Sequence, residues 1–358
     1  MGITDEQMIE CRNCRKLWRR QAQPHARAIH PECLAIHDGS ASIELGTGAI
    51  TSFGWMHQDG PPVAFARGPA PLADGADLLD ATATDVDRTV AGTKAVAELL
   101  ERQAAHLRPR APVRLCPQPE TGELRWCVQA RSIVDGSAVL IPATRFVLAS
   151  QITPAGPGRG DSTGMAVGLT VRAAIVAGLQ ESVERAGVAA MSHEAPTWRV
   201  RADNLSGPFI AALTRHGWSV DVVGCGYAGF AVAICVASHD KYLCSLGGAA
   251  ARLTVDGAVE AAVAEAYMKS TAFQNISRAI TATVEFLATE ELWHDLPSPE
   301  RNHISTLDPI ESMRQSGRDA AVVNRGNALL DAIGWCAAHV VLLDEATAPG
   351  PLFARLLR

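Results

Sequence analysis

Apolar residues recur at three- and four-residue steps over two stretches of the chain, and both stretches carry acids at one repeated spacing. From Thr93 to Leu107, the residues Val96, Leu99, Leu100, Ala104 and Leu107 form one stripe, which predicts an amphipathic helix. From Ser162 to Ala190, a short approach, Ser162-Thr163-Gly164 with Gly168 beyond it, leads into a segment where Val176, Leu179, Val183 and Ala186 repeat at the same step. A second helix is predicted there. The first helix carries Glu98, Glu101 and Arg102, and the second carries Glu181, Glu184 and Arg185. Residues three apart on a helix share a face, so each pair of carboxylates points one way.

The rest of the chain reads mostly as short strands. Ser40 to about Ala76 is rich in Gly, Pro and Ser, with β-prone pieces at Ile50–Phe53 and Val63–Phe65, and predicts strands joined by turns. Pro69 to Gly75 reads as a loop, and Asp80 to Asp85 as the approach to the first helix. Two β-prone runs, Glu123–Ile133 and Ala138–Leu148, flank Val134-Asp135-Gly136-Ser137, the signal of a hairpin. Gln151 to Gly160 is a Pro/Gly loop. Trp198–Val200 and Ile210–Val223 read as a helix and then a strand, while Phe230–Val236 is a continuous apolar run of the buried-strand type. Gly247-Gly248-Ala249-Ala250 is expected to open a third helix over Val255–Phe273. Leu292–Arg318 reads as a polar, mobile excursion at the mouth of a cleft, carrying His294 and His303, both expected on the surface. Asn327–Thr347 reads as a helix followed by a buried strand.

Composition narrows the classes. Of 358 residues, 47% are hydrophobic and 20% charged, which is the balance of a soluble globular protein with a sizeable core. The net charge is −6, and the one basic cluster is the short Arg15-Lys16-Leu17-Trp18-Arg19-Arg20, so nucleic acid is not the expected partner. No apolar run of eighteen residues occurs, and the first residues lack an apolar core behind a basic start; neither membrane insertion nor export is expected. Nine scattered cysteines do not form a disulfide framework, and a reducing cytoplasm is expected. Cys225, Cys235, Cys244 and Cys336 sit in apolar surroundings as small hydrophobes.

Two groups of residues carry candidate chemistry. Cys11-x-x-Cys14 with Cys33, among His25, His30 and His37, offers thiolates and imidazoles for a tetrahedral Zn²⁺; the competing reading is an exposed arm that docks a partner. The duplicated Glu-x-x-Glu-Arg order offers hard oxygen ligands of the kind that Mg²⁺ uses when it holds nucleotide phosphates, provided the two helices pack side by side. Alone, each copy could equally be a solvated face in which Arg pairs with acids a turn away. The small residues at Ser162–Gly164 add a loop-to-helix approach where backbone amides can meet anionic oxygens.

GTKAVAELLER, followed after a strand-rich stretch by STGMAVGLTVRAAIVAGLQESVER, resembles the paired glutamate helices of the YcaO superfamily, ATP-dependent enzymes that activate backbone amides. Ser162, Gly164, Gly168, Glu181, Glu184 and Arg185 match the family's second block. The resemblance implies an α+β fold, with mostly antiparallel sheets packed with helices around a nucleotide cleft. It implies a catalytic domain over residues 61–358 behind a Cys/His-containing segment over residues 1–60. Its implied cofactors are ATP and Mg²⁺, with Glu98, Glu101, Glu181, Glu184 and Glu265 on the metal and Ser162, Lys94, Arg102 and Arg185 by the nucleotide. Family members carry Glu-x-x-Gln-x-Arg on the third helix; here Met268 and Ser270 replace Gln and Arg, and Arg278 lies beyond. Azoline-forming members end in Pro-x-Pro-x-Pro, whereas this chain has Pro349 and Pro351. The implied function is modification of a ribosomally made precursor peptide, closing azoline rings from Cys, Ser or Thr. A pathway partner would supply the leader-binding role, and a homodimer is left open. Thioamide or amidine formation, or a non-catalytic scaffold with a degenerate nucleotide site, are the alternatives.

Overall fold

The computed structural model describes residues 8–10, 17–19, 43–44, 50, 52–56, 59–70, 78–105, 113–117, 124–145, 152–153, 156–157, 162–194, 196–242, 244–276, 297–299, 308–326, 330 and 335–343. Strands β1 (Met8–Glu10) and β2 (Leu17–Arg19) form a small hairpin. β3 (Ile43–Glu44), β4 (Ser52–Met56), β5 (Val63–Pro69) and β6 (Leu78–Thr84) pair in sequence, and helix α1 (Arg88–Ala105) packs on that sheet. Next come β7 (Val113–Pro117), β8 (Leu124–Ser132) and β9 (Ala138–Pro142), a short hairpin of β10 (Ile152–Thr153) and β11 (Gly156–Pro157), and β12 (Met165–Gly168). Helix α2 (Val171–Glu194) then leads to β13 (Trp198–Val200), helix α3 (Pro208–Arg215), the meander β14 (Ser219–Tyr227), β15 (Phe230–His239) and β16 (Cys244–Arg252), and helix α4 (Val255–Ile276). Helix α5 (Pro309–Gln315), β17 (Ala320–Asn324) and β18 (Cys336–Leu342) follow.

The larger sheet runs β12-β18-β17-β8-β7, with β9 on the flank of β8, and a separate sheet runs β13-β14-β15-β16. Among the described residues every pairing is antiparallel. The expected α+β class with mostly antiparallel sheets is therefore what the chain adopts. The hairpin expected around Asp135-Gly136 is the β8–β9 pair. Gly136 takes φ 77°, and Asp135 accepts from the Ser137 amide at 2.8 Å.

Side-chain alternation explains how the layers stack. Along β15, Phe230, Val232, Ile234 and Val236 enter one core, while Ala233, Cys235 and Ala237 enter another. A strand buried on both faces reads as a continuous apolar run, which is why this one was legible. The first of these cores also takes Leu179, Val183 and Ala186 of α2 and Val340 and Leu342 of β18, so α2 is clamped between the two sheets. The second takes Ala262, Val263 and Ala266 of α4. A third packs Ala95, Val96, Leu99 and Leu100 of α1 against Ala64, Ala66, Ala81 and Ala83 of β5 and β6 and against Met165 and Val167 of β12. Small residues on the sheet side let the helix approach closely, and burying a side chain such as Leu99 contributes about 2 kcal/mol. Of the predicted stripes, Val176 is only half-buried and Leu107 lies outside the described residues.

Several boundaries differ from the sequence reading. Asp80 to Thr84 belongs to β6, and α1 begins at Arg88 behind Asp87, whose carboxylate accepts from the Thr89 and Val90 amides at 2.7 and 3.2 Å. That is an N-cap placed six residues before Thr93. Trp198–Val200 is a strand, not helix, because it pairs with β14. Gly247–Ala250 is the interior of β16, not a helix start. A Cβ on Gly248 would lie 2.1 Å from the Ala262 carbonyl of α4, so the small residues serve close packing of strand on helix. The expected boundary at residue 60 falls inside the β4–β5 hairpin, and the sheet itself runs across it. Within Leu292–Arg318, Pro309–Gln315 is an ordered helix whose Met313 is fully buried and whose Ser312 donates to the Gly229 carbonyl at 2.7 Å. His294, His303, Arg278, Pro349 and Pro351 lie outside the described residues.

Gly164, at φ 79°, connects the approach to α2, and a Cβ there would stand 1.9 Å from the Val340 carbonyl and 2.3 Å from the Ser182 hydroxyl. Gly136 shares the positive φ, but a Cβ there meets nothing within 4 Å. Gly136→Ala therefore reports backbone strain alone, about 1 kcal/mol, and Gly164→Ala adds the packing clash. Denaturant unfolding is expected to show Gly164→Ala less stable than Gly136→Ala by at least about 1 kcal/mol; equal losses would contradict the clash.

Candidate functional site

Helices α1, α2 and α4 bring the five predicted glutamates together in one row. On α1, Glu98 accepts from both Nε and Nη2 of Arg102, one turn later, at 3.0 and 2.9 Å. Glu101, on the inner side, feels Glu98 on its own helix and Glu181 on α2. Enclosure by protein raises its carboxyl well above the ordinary glutamate range; repulsion from Glu98 and Glu181 adds to this, against the pull of Arg102 and Arg185. On α2, Glu184 is raised in the same way, first by enclosure and then by Glu265 of α4, with Arg185 and Arg252 opposing and Glu181 adding. The order is thus Glu98, Glu101, Glu181, Glu184, Glu265, each acid held against the next.

The backbone fixes two of the five. Gly164 donates its amide to Glu181 Oε2 at 3.1 Å, and its own carbonyl accepts from the Val340 amide at 2.7 Å. Ala249 donates its amide to Glu265 Oε2 at 2.8 Å, a contact permitted because its neighbour Gly248 lets β16 lie directly on α4. Gly164, just before β12, and Ala249 of β16 therefore each aim an amide at a glutamate on a neighbouring helix. Arg185 lies between the two acids of α2, with its nitrogens 3.9 Å from Glu181 and 3.7 Å from Glu184.

Two further nucleotide-side candidates are Ser162 and Lys94. Ser162 accepts at its carbonyl from the Met165 amide at 2.9 Å, two residues from the Gly164 contact. Lys94, one turn before Glu98, holds Asp85 Oδ2 at 2.6 Å. Lys94, Gln180 and Arg252 line a cavity of about 480 Å³, a size that admits a small-molecule ligand. A second cavity of about 350 Å³ is lined by Pro208, Asp256 and Val263 among others, and the five acids line neither cavity.

Two cations at the site escaped the sequence reading. Arg252, at the end of β16, is enclosed beside Glu184 and Glu265; burial lowers its pKa and the two acids oppose that. Lys269 holds Glu265 Oε1 at 2.9 Å and the Gly247 carbonyl at 2.8 Å. The four-residue step from Glu265 to Lys269 was visible as a helix ion pair, whereas nothing local marks Arg252. At the two positions where the family carries Gln and Arg, Met268 packs against the core beside α4, and Ser270 is buried with its hydroxyl donating to the Tyr267 carbonyl at 2.8 Å.

The donor set is all oxygen, with Glu101 and Glu184 enclosed beside other acids, which suits a hard divalent cation and not a soft one. Among the described residues no group of three or more His, Cys, Asp or Glu is arranged around a single point to hold an ion. The row instead offers carboxylates in pairs. Mg²⁺ takes one or two protein carboxylates and completes its shell with phosphate and water oxygens, so the residues fit that ion when it arrives with a nucleotide. Cys11, Cys14 and Cys33 lie outside the described residues. Cys127, Cys225, Cys235 and Cys244 are buried free thiols and Cys336 is partly buried; enclosure raises the Cys235 thiol. No described helix is long and apolar enough to cross a membrane.

Comparison with known proteins follows the same lines. A structure described as a heterocyclase in complex with substrate and cofactor superposes with a TM-score of 0.67 at 15% identity, over 83% of this chain and 50% of that one. This chain thus spans half of that heterocyclase. YcaO from Methanopyrus kandleri, bound with AMPPCP and Mg²⁺, matches with a TM-score of 0.64 at 18% identity, over 84% of this chain and 89% of that one. A chain of the E. coli microcin synthetase McbBCD complex matches with a TM-score of 0.63 at 12% identity, over 87% and 91%. At these identities the likeness is one of fold. No curated protein sequence matches the chain. The family model for the YcaO cyclodehydratase, ATP- and Mg²⁺-binding, matches residues 65–343, a span that contains all five glutamates, and the chain belongs to the YcaO family.

Proposed function

We propose that this protein uses ATP and Mg²⁺ to activate backbone amides in a ribosomally made precursor peptide, closing thiazoline- or oxazoline-type rings from Cys, Ser or Thr residues. The observation that carries the reading is the row of five glutamates across three helices, in which Glu101 and Glu184 are enclosed beside other acids, an arrangement that is costly unless divalent cations occupy it. In this reading Glu98, Glu101, Glu181, Glu184 and Glu265 hold Mg²⁺. Ser162, Lys94, Arg102 and Arg185 face the triphosphate. When bound, the Mg²⁺-nucleotide supplies the phosphoryl group that makes the amide oxygen a leaving group. The chain's own residues position the reactants, keep water from the cavity and neutralise phosphate charge; the nucleophile is the peptide's own side chain.

Support for the peptide as substrate comes from the family match and from the heterocyclase and microcin synthetase folds. A separate leader-binding partner, a catalytic unit in the cytoplasm, and a Zn²⁺ at Cys11, Cys14 and Cys33 are parts of the same proposal. Thioamide or amidine formation uses the same ATP chemistry, so the residues of the row serve either product. The second reading, a peptide-binding scaffold, is favoured by one observation: Met268 and Ser270 turn to the core while Lys269 neutralises Glu265.

Catalysis requires the row, so Glu98→Gln and Glu181→Gln are expected to reduce peptide-dependent release of ADP and phosphate by about a hundredfold or more. Turnover unchanged in a folded variant rejects the assignment. Calorimetric titration with a non-hydrolysable ATP analogue and Mg²⁺ separates the two readings: saturable binding is expected, and its absence establishes the scaffold. Loss of one water per modified residue in the co-expressed peptide identifies ring closure.

The raised carboxyls of Glu101 and Glu184 also set a pH dependence. Below the ordinary glutamate pKa, near 4.3, both folded and unfolded chains hold these protons. As pH rises past that value toward the raised folded pKa, the unfolded chain releases protons that the folded chain retains. Stability of the metal-free protein is therefore lost with rising pH across that window. Glu101→Gln and Glu184→Gln are expected to raise the melting temperature in EDTA at neutral pH and to flatten its decline between pH 5 and pH 8, a range chosen from the roughly 4.3 starting point. A lower melting temperature for both variants contradicts the assigned cost.

A further inference from the structure

Lys269 places its ammonium on a carboxylate oxygen of the row. Its ammonium is 2.9 Å from Glu265 Oε1 and 2.8 Å from the Gly247 carbonyl, while the other oxygen of Glu265 accepts the Ala249 amide at 2.8 Å. Both oxygens of Glu265 are thus engaged. Glu98 differs, because both of its contacts with Arg102 fall on Oε1. Mg²⁺ binds carboxylate oxygens at roughly 2.0–2.1 Å, and a divalent ion cannot approach Glu265 Oε1 that closely while the ammonium stays on it.

The local charge supports the same point. Arg102, Arg185, Arg252 and Lys269 already stand among the five acids before any metal arrives. Arg252 is fixed, being enclosed and donating to the adjacent Ala251 carbonyl at 2.7 Å. Lys269 sits at the end of a four-carbon stem with 21% of its side chain exposed, and a lysine can swing where a buried guanidinium cannot.

We propose that Lys269 is a built-in counter-ion for the Glu184–Glu265 end of the row, and that it leaves Glu265 when a divalent cation is held there and moves onto the nucleotide's phosphates. The inference rests on the reading of the row as a Mg²⁺-nucleotide site. It assigns Lys269 as a positioning residue in place of the Gln and Arg that Met268 and Ser270 do not supply. Its consequence is coupling: without a nucleotide the ammonium competes with the metal, and with a nucleotide the displaced ammonium gains a new anionic partner. Metal and nucleotide then bind cooperatively at this end.

Mn²⁺, as a paramagnetic substitute for Mg²⁺, can be titrated into the full chain and its free concentration followed by electron paramagnetic resonance, with and without AMPPCP. Without nucleotide, Lys269→Met is expected to bind Mn²⁺ at least about tenfold more tightly than the wild type, as removal of one adjacent positive charge requires. Lys269→Arg is expected to stay close to the wild type. Adding Glu265→Gln to Lys269→Met should abolish the gain, which places the metal on Glu265. With AMPPCP present, the difference between the wild type and Lys269→Met should shrink or reverse. Identical Mn²⁺ isotherms for the two, in proteins that both bind AMPPCP, overturn the role of Lys269 and leave the nucleotide site standing. Failure of the wild type to bind AMPPCP at any Mn²⁺ concentration overturns the nucleotide site and this inference with it.

Discussion

Carboxylates brought side by side raise one another's energy, and the architecture around α1, α2 and α4 gathers five of them, with Glu101 and Glu184 enclosed. Enclosure is the leading cause of the raised pKa at both Glu101 and Glu184, and neighbouring acids come next. Arginines reduce the cost without removing it. A fold selected only for stability would turn such side chains outward or replace them. Here the helix faces that carry them are fixed by the cores on their other sides: Leu99 and Leu100 under α1, Leu179 and Val183 under α2, Ala262 and Ala266 under α4.

Holding the helices is not sufficient, because a glutamate side chain has three rotatable bonds and loses its freedom only when something takes its oxygens. Two backbone amides do this by nearly the same device. Gly164, just before β12, gives its amide to Glu181, and β16, lying on α4 at Gly248, gives the Ala249 amide to Glu265. In each case a side chain larger than hydrogen would meet backbone oxygen, at 1.9 Å from Val340 and 2.1 Å from Ala262. The absence of a side chain at these two positions is thus part of how the acids are aimed. Preorganised donors of this kind are what a site dominated by charge stabilisation needs.

Period was the feature of the sequence that carried most information. Apolar steps of three and four, with Glu-x-x-Glu-Arg laid over them twice, located α1 and α2 and put both acid pairs on shared faces before any tertiary structure was known. The continuous run at Phe230–Val236 was equally legible, since a strand with a core on each side leaves no polar position. Short-range pattern failed where a residue's identity answers to a distant neighbour. Gly247–Ala250 looked like a helix start, yet its small residues accommodate α4 against β16. Trp198–Val200 is too short for a period and is a strand only because β14 pairs with it. Arg252 gave no signal at all, because its partners Glu184 and Glu265 come from other elements.

Lys269 belongs between these cases and shows what local rules can and cannot decide. Its distance of four residues from Glu265 predicts an ion pair on any exposed helix, worth a few tenths of a kcal/mol. The tertiary setting changes the meaning of that pair. Glu265 already accepts a backbone amide and adjoins the enclosed Glu184, so the lysine balances charge for a group and not for a single partner. An ammonium on a flexible stem is suited to a place that must be occupied at rest and vacated on binding, whereas the planar guanidinium of an arginine favours a permanent fork. The third helix of this chain therefore departs from the family's Gln and Arg by more than a loss of two polar contacts: between Met268 and Ser270 it places the cation of Lys269 on Glu265.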